Sequence, residues 1–349
     1  MSGKKQHFIP QALLRGFGIQ RNKQIYVQVF PYGRSKFEVA TDGIGAERYF
    51  YSKPSQISDE KTLDDKITDY ENTQKTVLHH LQTQPIDEPV NAIAVSELVT
   101  HLSVRNAHFR DVATEGARLL FEEATSIFQD RDRTRRALGL DGHKPSNALI
   151  EALNKKIAEY RETFQILGMT DDDAREWALT QAGPLFEQNF PKMAAEMALV
   201  WETIEPRIAT IGKDAQLSAL EKDLAPETRR MALEKFTWVI ADDLHEKLLL
   251  PDCVAVALTA AGPQPASFAG ADDTDAILMP LSSSRLLVGS LKHPLVLPKD
   301  INETMAGCSW RFFVAQTSEQ HFQNAHANLR TVSKQFFRNM VEEVTSDYY

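Results

Sequence analysis

The stretch QHFIPQALLRGF, from Gln6 to Phe17, decides how the fold begins. Pro10 suits the first turn of a helix, because the N–H that proline lacks has no helical partner there. Leu13, Leu14 and Phe17 then follow at helical spacing and form one apolar face. We therefore predict a short helix that begins near Pro10 and packs this face into a core.

The same stretch carries a histidine and a glutamine that can share a site. His7 and Gln11 are four residues apart, so both side chains can point at one small region whether the helix begins near His7 or at Pro10. Imidazole can act as an acid, a base or a metal ligand near neutral pH. The simpler interpretation is that His7 buttresses the helix and Gln11 satisfies a buried backbone group.

Beyond the first helix, the pattern predicts a β-hairpin. Residues 24–31 alternate as a strand does, residues 31–35 form a turn, and residues 36–40 suit a second strand. The glycine-containing loop at residues 41–45 lacks the lysine and the Ser or Thr of a phosphate-binding loop, so we interpret it as a turn.

The middle of the chain is periodic in the manner of helices. We predict helices over residues 63–81, 93–128, 148–167, 171–182, 190–211 and 227–250. Three aspartates at 171–173 suit a helix N-terminus. The run RDRTRR at 131–136 predicts a solvated loop or a frayed helix end, with a nucleic-acid contact as the alternative. Trp177, Trp201 and Trp238 lie on apolar stripes and are predicted to be core.

Strand-like segments return near the C-terminal end. They cover residues 253–258, 276–280, 286–291 and 311–315, with a predicted loop over 262–275 and a closing helix over 320–344. The sequence thus predicts an α+β fold that is predominantly helical. In it a small mixed or antiparallel sheet from both chain ends accompanies a central helical bundle. We predict a single domain over 1–349, made of an N-terminal helix and hairpin (1–60), a helical region (61–250) and C-terminal strands with a closing helix (251–349).

Composition sets the outer limits on function. The chain has 349 residues, 42% of them hydrophobic, and a formal net charge of -9, so a strong global attraction to nucleic acid is not indicated. Two cysteines cannot form a disulfide framework, and no zinc-binding spacing occurs. We find no signal peptide and no apolar stretch long enough to span a bilayer, so we expect a cytoplasmic protein without membrane contact.

The opening HFIPQALLRGF resembles the start of the bacterial family domain of unknown function 4238. Further resemblances are spread over nearly the whole chain. They lie at Ala46–Tyr51, Leu63–Glu71, Arg105–Arg110, Leu250–Val254, Met279–Ser282, Asn302 and Arg311–Val314. At the fourth of these, Pro251 and Cys253-Val254 depart from the family's Ser-Asp-Asn-Pro-Val. The resemblance implies an architecture and candidate residues, and no activity.

The candidate site is a set of polar residues scattered along the chain. Known catalytic spacings such as HExxH, GxSxG, GxGxxG and a Walker lysine are absent. We predict catalytic roles for His7, Gln11, Arg48 and Asp252, and substrate-binding roles for Tyr51, Glu71, Arg105, Arg285 and Asn302. In this prediction His7 is the acid or base, Asp252 orients it, and Arg48 or Arg105 holds an anionic group. No metal ligands are predicted, and the sequence leaves any cofactor unknown. Each residue also has a structural interpretation, as an ion-pair partner, a cap or a surface charge.

Two classes of function remain open on this evidence. The first is a hydrolase or nuclease-like effector that acts on nucleic acid or a nucleotide, of the toxin or phage-defence type, which the accessory character implied by the family resemblance favours. The second is a non-catalytic module that binds a small ligand, a protein partner or a second copy of itself. The acidic charge and the missing catalytic spacings favour the second class.

Overall fold

A computed structural model describes residues 5–52, 62–86, 88–142, 144–242, 244–270, 272–291 and 297–345. The chain divides into two compact units. Unit 1 comprises Met1–Thr114 and Ala209–Phe336, and unit 2 comprises Glu115–Ile208 and Phe337–Tyr349. The single domain predicted over residues 1–349 stays a prediction.

Most of the described chain is helical, and the strands are short, which confirms the predicted α+β class. The helices are α1 (Gln11–Arg15), α2 (Leu63–Thr83), α3 (Ala92–Arg105), α4 (Ala107–Gln129), α5 (Arg131–Ala137), α6 (Asn147–Glu159), α7 (Arg161–Ile166), α8 (Asp171–Ile204), α9 (Ile208–Lys222), α10 (Glu227–Leu233), α11 (Ile301–Cys308), α12 (Gln320–Ala327) and α13 (Thr331–Thr345). The strands are β1 (Lys5–His7), β2 (Ile19–Arg21), β3 (Gln24–Pro31), β4 (Phe37–Ala40), β5 (Ala46–Arg48), β6 (Thr237–Ala241), β7 (Leu250–Pro251), β8 (Val256–Thr259), β9 (Gly262–Pro265), β10 (Thr274–Pro280), β11 (Leu286–Ser290) and β12 (Phe312–Ala315).

One sheet of unit 1 joins the two ends of the chain, as the sequence predicts. Its order is β2-β3-β12-β7, and β4 pairs with the opposite edge of β3. All these pairings are antiparallel, and β3 meets β12 with Phe30 opposite Phe313. The two rings stack with centroids 4.7 Å apart, and both are fully buried. Aromatic burial at this junction fixes the N-terminal hairpin to the C-terminal strands.

A second antiparallel sheet in unit 1 has the order β6-β11-β10-β8-β9. Its first strand corrects the helix predicted over 227–250, because α10 ends at Leu233 and β6 follows. Trp238 and Ile240 are buried and alternate with exposed neighbours, a period of two that fits a strand. Gly289 lies opposite Trp238, and a Cβ there would stand 2.6 Å from the indole. This glycine therefore makes room for the tryptophan.

Several predicted boundaries were wrong for local reasons. The helix predicted over 93–128 is interrupted at Asn106, whose side chain donates to the Leu102 and Ser103 carbonyls and accepts from the Phe109 N–H. Residues 131–136, predicted as a solvated loop or a frayed helix end, form a separate helix, α5, because the Asp130 side chain caps it through the N–H groups of Asp132 and Arg133.

In unit 2, α8 replaces the two helices predicted over 171–182 and 190–211. It contains Pro184 and Pro191 and begins in a capping box between Thr170 and Asp173. Trp177 on this helix is 54% exposed, so its predicted core position is wrong. In unit 1, the predicted loop over 262–275 contains β9. No helix in the described part of the chain is both long and apolar enough to cross a membrane.

Candidate functional site

Strand β1 and helix α1 place His7 and Gln11 beside each other in unit 1. β1 pairs with β5 so that His7 lies opposite Ala46. The buried Gln6 fixes the strand, because its Oε1 accepts from the Tyr51 N–H at 2.6 Å and its Nε2 donates to Ser52 Oγ at 3.1 Å. The position of His7 therefore depends on its neighbour in sequence.

The contact between His7 and Gln11 determines which imidazole nitrogen carries the proton. The Gln11 Nε2 lies 3.2 Å from the His7 Nε2, and Arg15 donates to the Gln11 Oε1 at 3.4 Å. Because Arg15 can only donate, the Gln11 amide presents its N–H to His7, whose Nε2 accepts. Burial, with the nearby Lys5 charge, lowers the pKa of His7, so the ring is neutral at pH 7. Its single proton then lies on Nδ1.

Behind this pair, Arg105 is fully buried and holds three segments together. Its guanidinium donates to the Glu71 carboxylate, to the His7 backbone carbonyl and, at 3.1 Å, to Tyr51 Oη. Tyr51 in turn donates to the Arg105 carbonyl at 3.0 Å, and burial raises the pKa of Tyr51 to about 12. The ion pair with Glu71 thus compensates for the buried charge of Arg105, and the oxygen of neutral Tyr51 accepts one of its hydrogen bonds.

A cavity of about 440 Å³ opens in front of this network, and we call it the His7 cavity. Its polar lining consists of His7, Gln11, Arg15, Glu71, Gln74, Lys75 and His101. Pro10, Ala12, Leu78, Leu98 and Leu102 supply the apolar lining. The volume lies within the range typical of small-molecule sites.

Two buried polar atoms in the lining have no hydrogen-bond partner among the described residues. They are the Nδ1 of His7 and the Oε1 of Gln74. Gln74 is only 8% exposed, on the face of α2 that also carries Glu71 and Leu78. A buried polar atom without a partner destabilises the fold by about 1–3 kcal/mol, so each one calls for an explanation such as a catalytic role or a bound water, ion or ligand.

Five of the residues predicted from sequence come together here: His7, Gln11 and Glu71 line the cavity, while Tyr51 and Arg105 support it. Gln74, His101, Arg15 and Lys75 were missed. Gln74 lies one helical turn after Glu71, and His101 one turn before Arg105. Spacing of three or four residues from a candidate was therefore the available signal.

The remaining predicted residues do not line the His7 cavity. Arg48 is exposed on β5. Asp252 is fully buried and accepts from the backbone N–H groups of Trp310 at 2.8 Å and Arg311 at 2.6 Å. Burial raises the pKa of Asp252 to about 6. The side chain of Asp252 thus anchors the approach to β12.

Arg285 and Asn302 likewise bind backbone groups. Arg285 donates to the Gln84 carbonyl, at the end of α2, at 2.8 Å. Asn302 accepts from the Leu249 N–H at 3.0 Å and donates to the Lys247 carbonyl at 2.9 Å. Within the described ranges, no group of three or more His, Cys, Asp or Glu side chains is arranged to hold a metal ion.

The class of protein to which this fold and the His7 cavity belong is identified by its sequence, and not by a reaction. The model of the family described as protein of unknown function (DUF4238) matches residues 5–334, nearly the whole chain, and the chain belongs to that family. No curated protein and no solved structure is significantly similar to it.

Proposed function

We propose that the His7 cavity binds a small ligand of mononucleotide size and that the protein acts through this site. The observation that supports the proposal is the pair of buried, partnerless atoms, His7 Nδ1 and Gln74 Oε1. The first is a donor and the second an acceptor, and both belong to residues that line the cavity, so a ligand that reached them with one acceptor and one donor would satisfy both. A nucleobase edge has this combination.

The rest of the lining suits the other parts of a nucleotide. Leu78, Leu98 and Leu102 offer apolar surface for a planar base. Arg15 and Lys75 are exposed cations that also line the cavity, and they would face a phosphate group. Because Glu71 is bound by Arg105, its negative charge is largely compensated.

Calorimetric titration with the common mononucleotides tests the binding. We expect the wild-type protein to bind at least one of them, and His7→Ala and Gln74→Leu to weaken that binding by about tenfold each, since each loses one hydrogen bond. The matched controls are His79→Ala and Gln20→Leu, both exposed positions. Equal binding by all variants, or no binding by the wild type, would refute the proposal.

A second candidate is hydrolysis of a phosphodiester with His7 as the general base. The lowered pKa of His7 favours it, because a neutral imidazole can accept a proton at pH 7. The lone pair of His7 Nε2 faces Gln11, so a water or hydroxyl would have to displace that amide. Asp252 binds backbone N–H groups instead of the imidazole, so it is not part of this proposal.

Expression in a bacterial host separates the two candidates. A nuclease-like effector of the toxin or phage-defence type, active in the cytoplasm, should arrest growth and degrade RNA or DNA in the wild type but not in His7→Ala. Arg48→Ala and His79→Ala, both away from the cavity lining, serve as controls that should behave as wild type. Intact nucleic acids and normal growth throughout would leave the binding role alone in place.

A further inference from the structure

A second cavity in unit 1, of about 540 Å³, lies where β3, β4 and β5 approach the start of β12. We call it the Tyr32 cleft. Phe8 contributes to its wall, so the segment that supplies His7 to the first cavity also contributes to this one. None of the sequence-predicted site residues lines the Tyr32 cleft.

The cleft is basic although the chain as a whole is acidic. Arg34 is exposed, with no ion pair to any described residue, and it lines the cleft. Lys334 reaches the Tyr32 hydroxyl at 3.0 Å. Arg311 also lines the cleft, but Asp111 and Glu47 bind its guanidinium and compensate for its charge. The basic groups therefore exceed the acidic ones at a local patch of the surface.

Arg330 is held in the wall of the cleft by an unusual backbone conformation. Its φ is 73°, in the left-handed region that L-residues other than glycine rarely adopt. Its guanidinium carbon lies 3.9 Å from the centre of the Tyr32 ring and 4.4 Å from that of Trp310. These contacts fix a positive charge beside an aromatic ring, an arrangement that is expected at functional sites.

Two aromatic side chains of the cleft are partly exposed to solvent. Tyr32 is 41% exposed and Phe37 is 46% exposed. Phe37 lies opposite Val29 across the hairpin, and both line the cleft. Because Phe37 and Arg34 line the same cleft, a ligand with a flat, apolar face can stack on the ring while its anionic group meets a positive charge.

We propose that the Tyr32 cleft binds single-stranded nucleic acid, with a base stacked on Phe37 and phosphates bound by Arg34, Arg330 and Lys334. Exposed aromatic rings interleaved with cations are the features by which proteins bind single strands without reading their sequence. A duplex stacks its bases internally and cannot offer their faces to Phe37. The proposal goes beyond the ligand of the His7 cavity and does not depend on it.

Fluorescence anisotropy with labelled oligo-dT and oligo-U of about 12 nucleotides tests this proposal, with a duplex of equal length as the comparison. We expect the single strands to bind more tightly than the duplex. Phe37→Ala should weaken binding by roughly tenfold through the lost stacking. Arg34→Glu should weaken it similarly and reduce the slope of log Kd against log salt by about one, measured between about 50 and 200 mM.

Matched controls come from exposed positions in unit 2. Tyr160→Ala removes an exposed aromatic ring, and Lys155→Glu makes a charge reversal, on the surface of or next to α6. Both should bind as the wild type does. The proposal is overturned if the wild type binds neither oligonucleotide, if the duplex binds equally well, or if Phe37→Ala binds as tightly as Tyr160→Ala. His7→Ala should leave oligonucleotide binding unchanged. Failure of the proposal for the Tyr32 cleft is therefore distinguishable from failure of the proposal for the His7 cavity.

Discussion

Replacing Gln74 with leucine should make the protein more stable while it weakens ligand binding. The Gln74 side chain is 8% exposed, and its Oε1 accepts no hydrogen bond from the described residues. Leucine has a similar helix propensity and is slightly larger than glutamine, so the substitution removes the partnerless acceptor without leaving a cavity or incurring a helical penalty. We expect the free energy of unfolding to rise by about 1–2 kcal/mol, within the 1–3 kcal/mol that such an acceptor costs.

Urea unfolding followed by circular dichroism measures the change, with Gln20→Leu as the control for a glutamine at an exposed position. A thermal scan should show the midpoint rising by about 2–4 °C per kcal/mol, as for a unit of 150–250 residues. Unfolding of Gln74→Leu at lower urea than wild type would refute the reasoning, because Gln74 would then stabilise the empty protein. A stability gain with unchanged ligand affinity would refute the proposed role of Gln74 in binding.

Three further changes have directions that the structure determines. Arg105→Met leaves Glu71 without its buried partner and should destabilise the protein by about 3–5 kcal/mol. The control, Arg48→Met at an exposed position, should change the free energy of unfolding by less than about 0.5 kcal/mol. Urea unfolding measures both changes. Burial lowers the pKa of His108 to about 4. Below about pH 6.5 the His108 side chain therefore binds a proton in the unfolded chain, whereas in the folded chain it stays neutral until the pH approaches 4. Stability should therefore fall by up to about 1.4 kcal/mol per pH unit between pH 6.5 and 4, and an unfolding series across this range should be flatter in His108→Gln. Thr170→Ala removes the capping box of α8 and should lower the free energy of unfolding by about 0.5–2 kcal/mol. Thr180→Ala, within the same helix, should cause no such loss, and calorimetric scans of both variants test the difference.

The sequence predicted those parts of the fold in which the local pattern and the final environment agree. The predicted bounds of the strand over residues 24–31 are those of β3, because its alternating side chains match the two faces of the sheet that it joins. The strand β6 was missed, because residues 237–241 follow a helix and their period of two covers only five residues. α8 was divided at its prolines, because a helix of that length through Pro184 and Pro191 contradicts the usual preference of proline.

The candidate site was predictable where one short motif and one helix face carry it. His7 and Gln11 are four residues apart. Glu71 lies near the middle of one helical segment, and Arg105 lies at the end of another. Asp252 and Asn302 are polar residues in apolar surroundings, a pattern that fits catalysis and backbone anchoring equally well. Only the positions of the Trp310, Arg311 and Leu249 N–H groups distinguish the two.

The pairing of β3 with β12 has a consequence for how the chain is made in the cell. Val29 and Phe30 leave the ribosome early, but their partners at residues 313–314 are synthesised nearly three hundred residues later. At about 5–20 residues per second, the apolar edge of β3 waits roughly 15–60 s for its partner. During that time Phe30 lacks its stacking partner, and a nascent chain that is released early would expose a strand prone to association. Chaperone depletion should therefore reduce the yield of folded protein. The chains that are lost should chiefly be those whose synthesis has not yet reached β12.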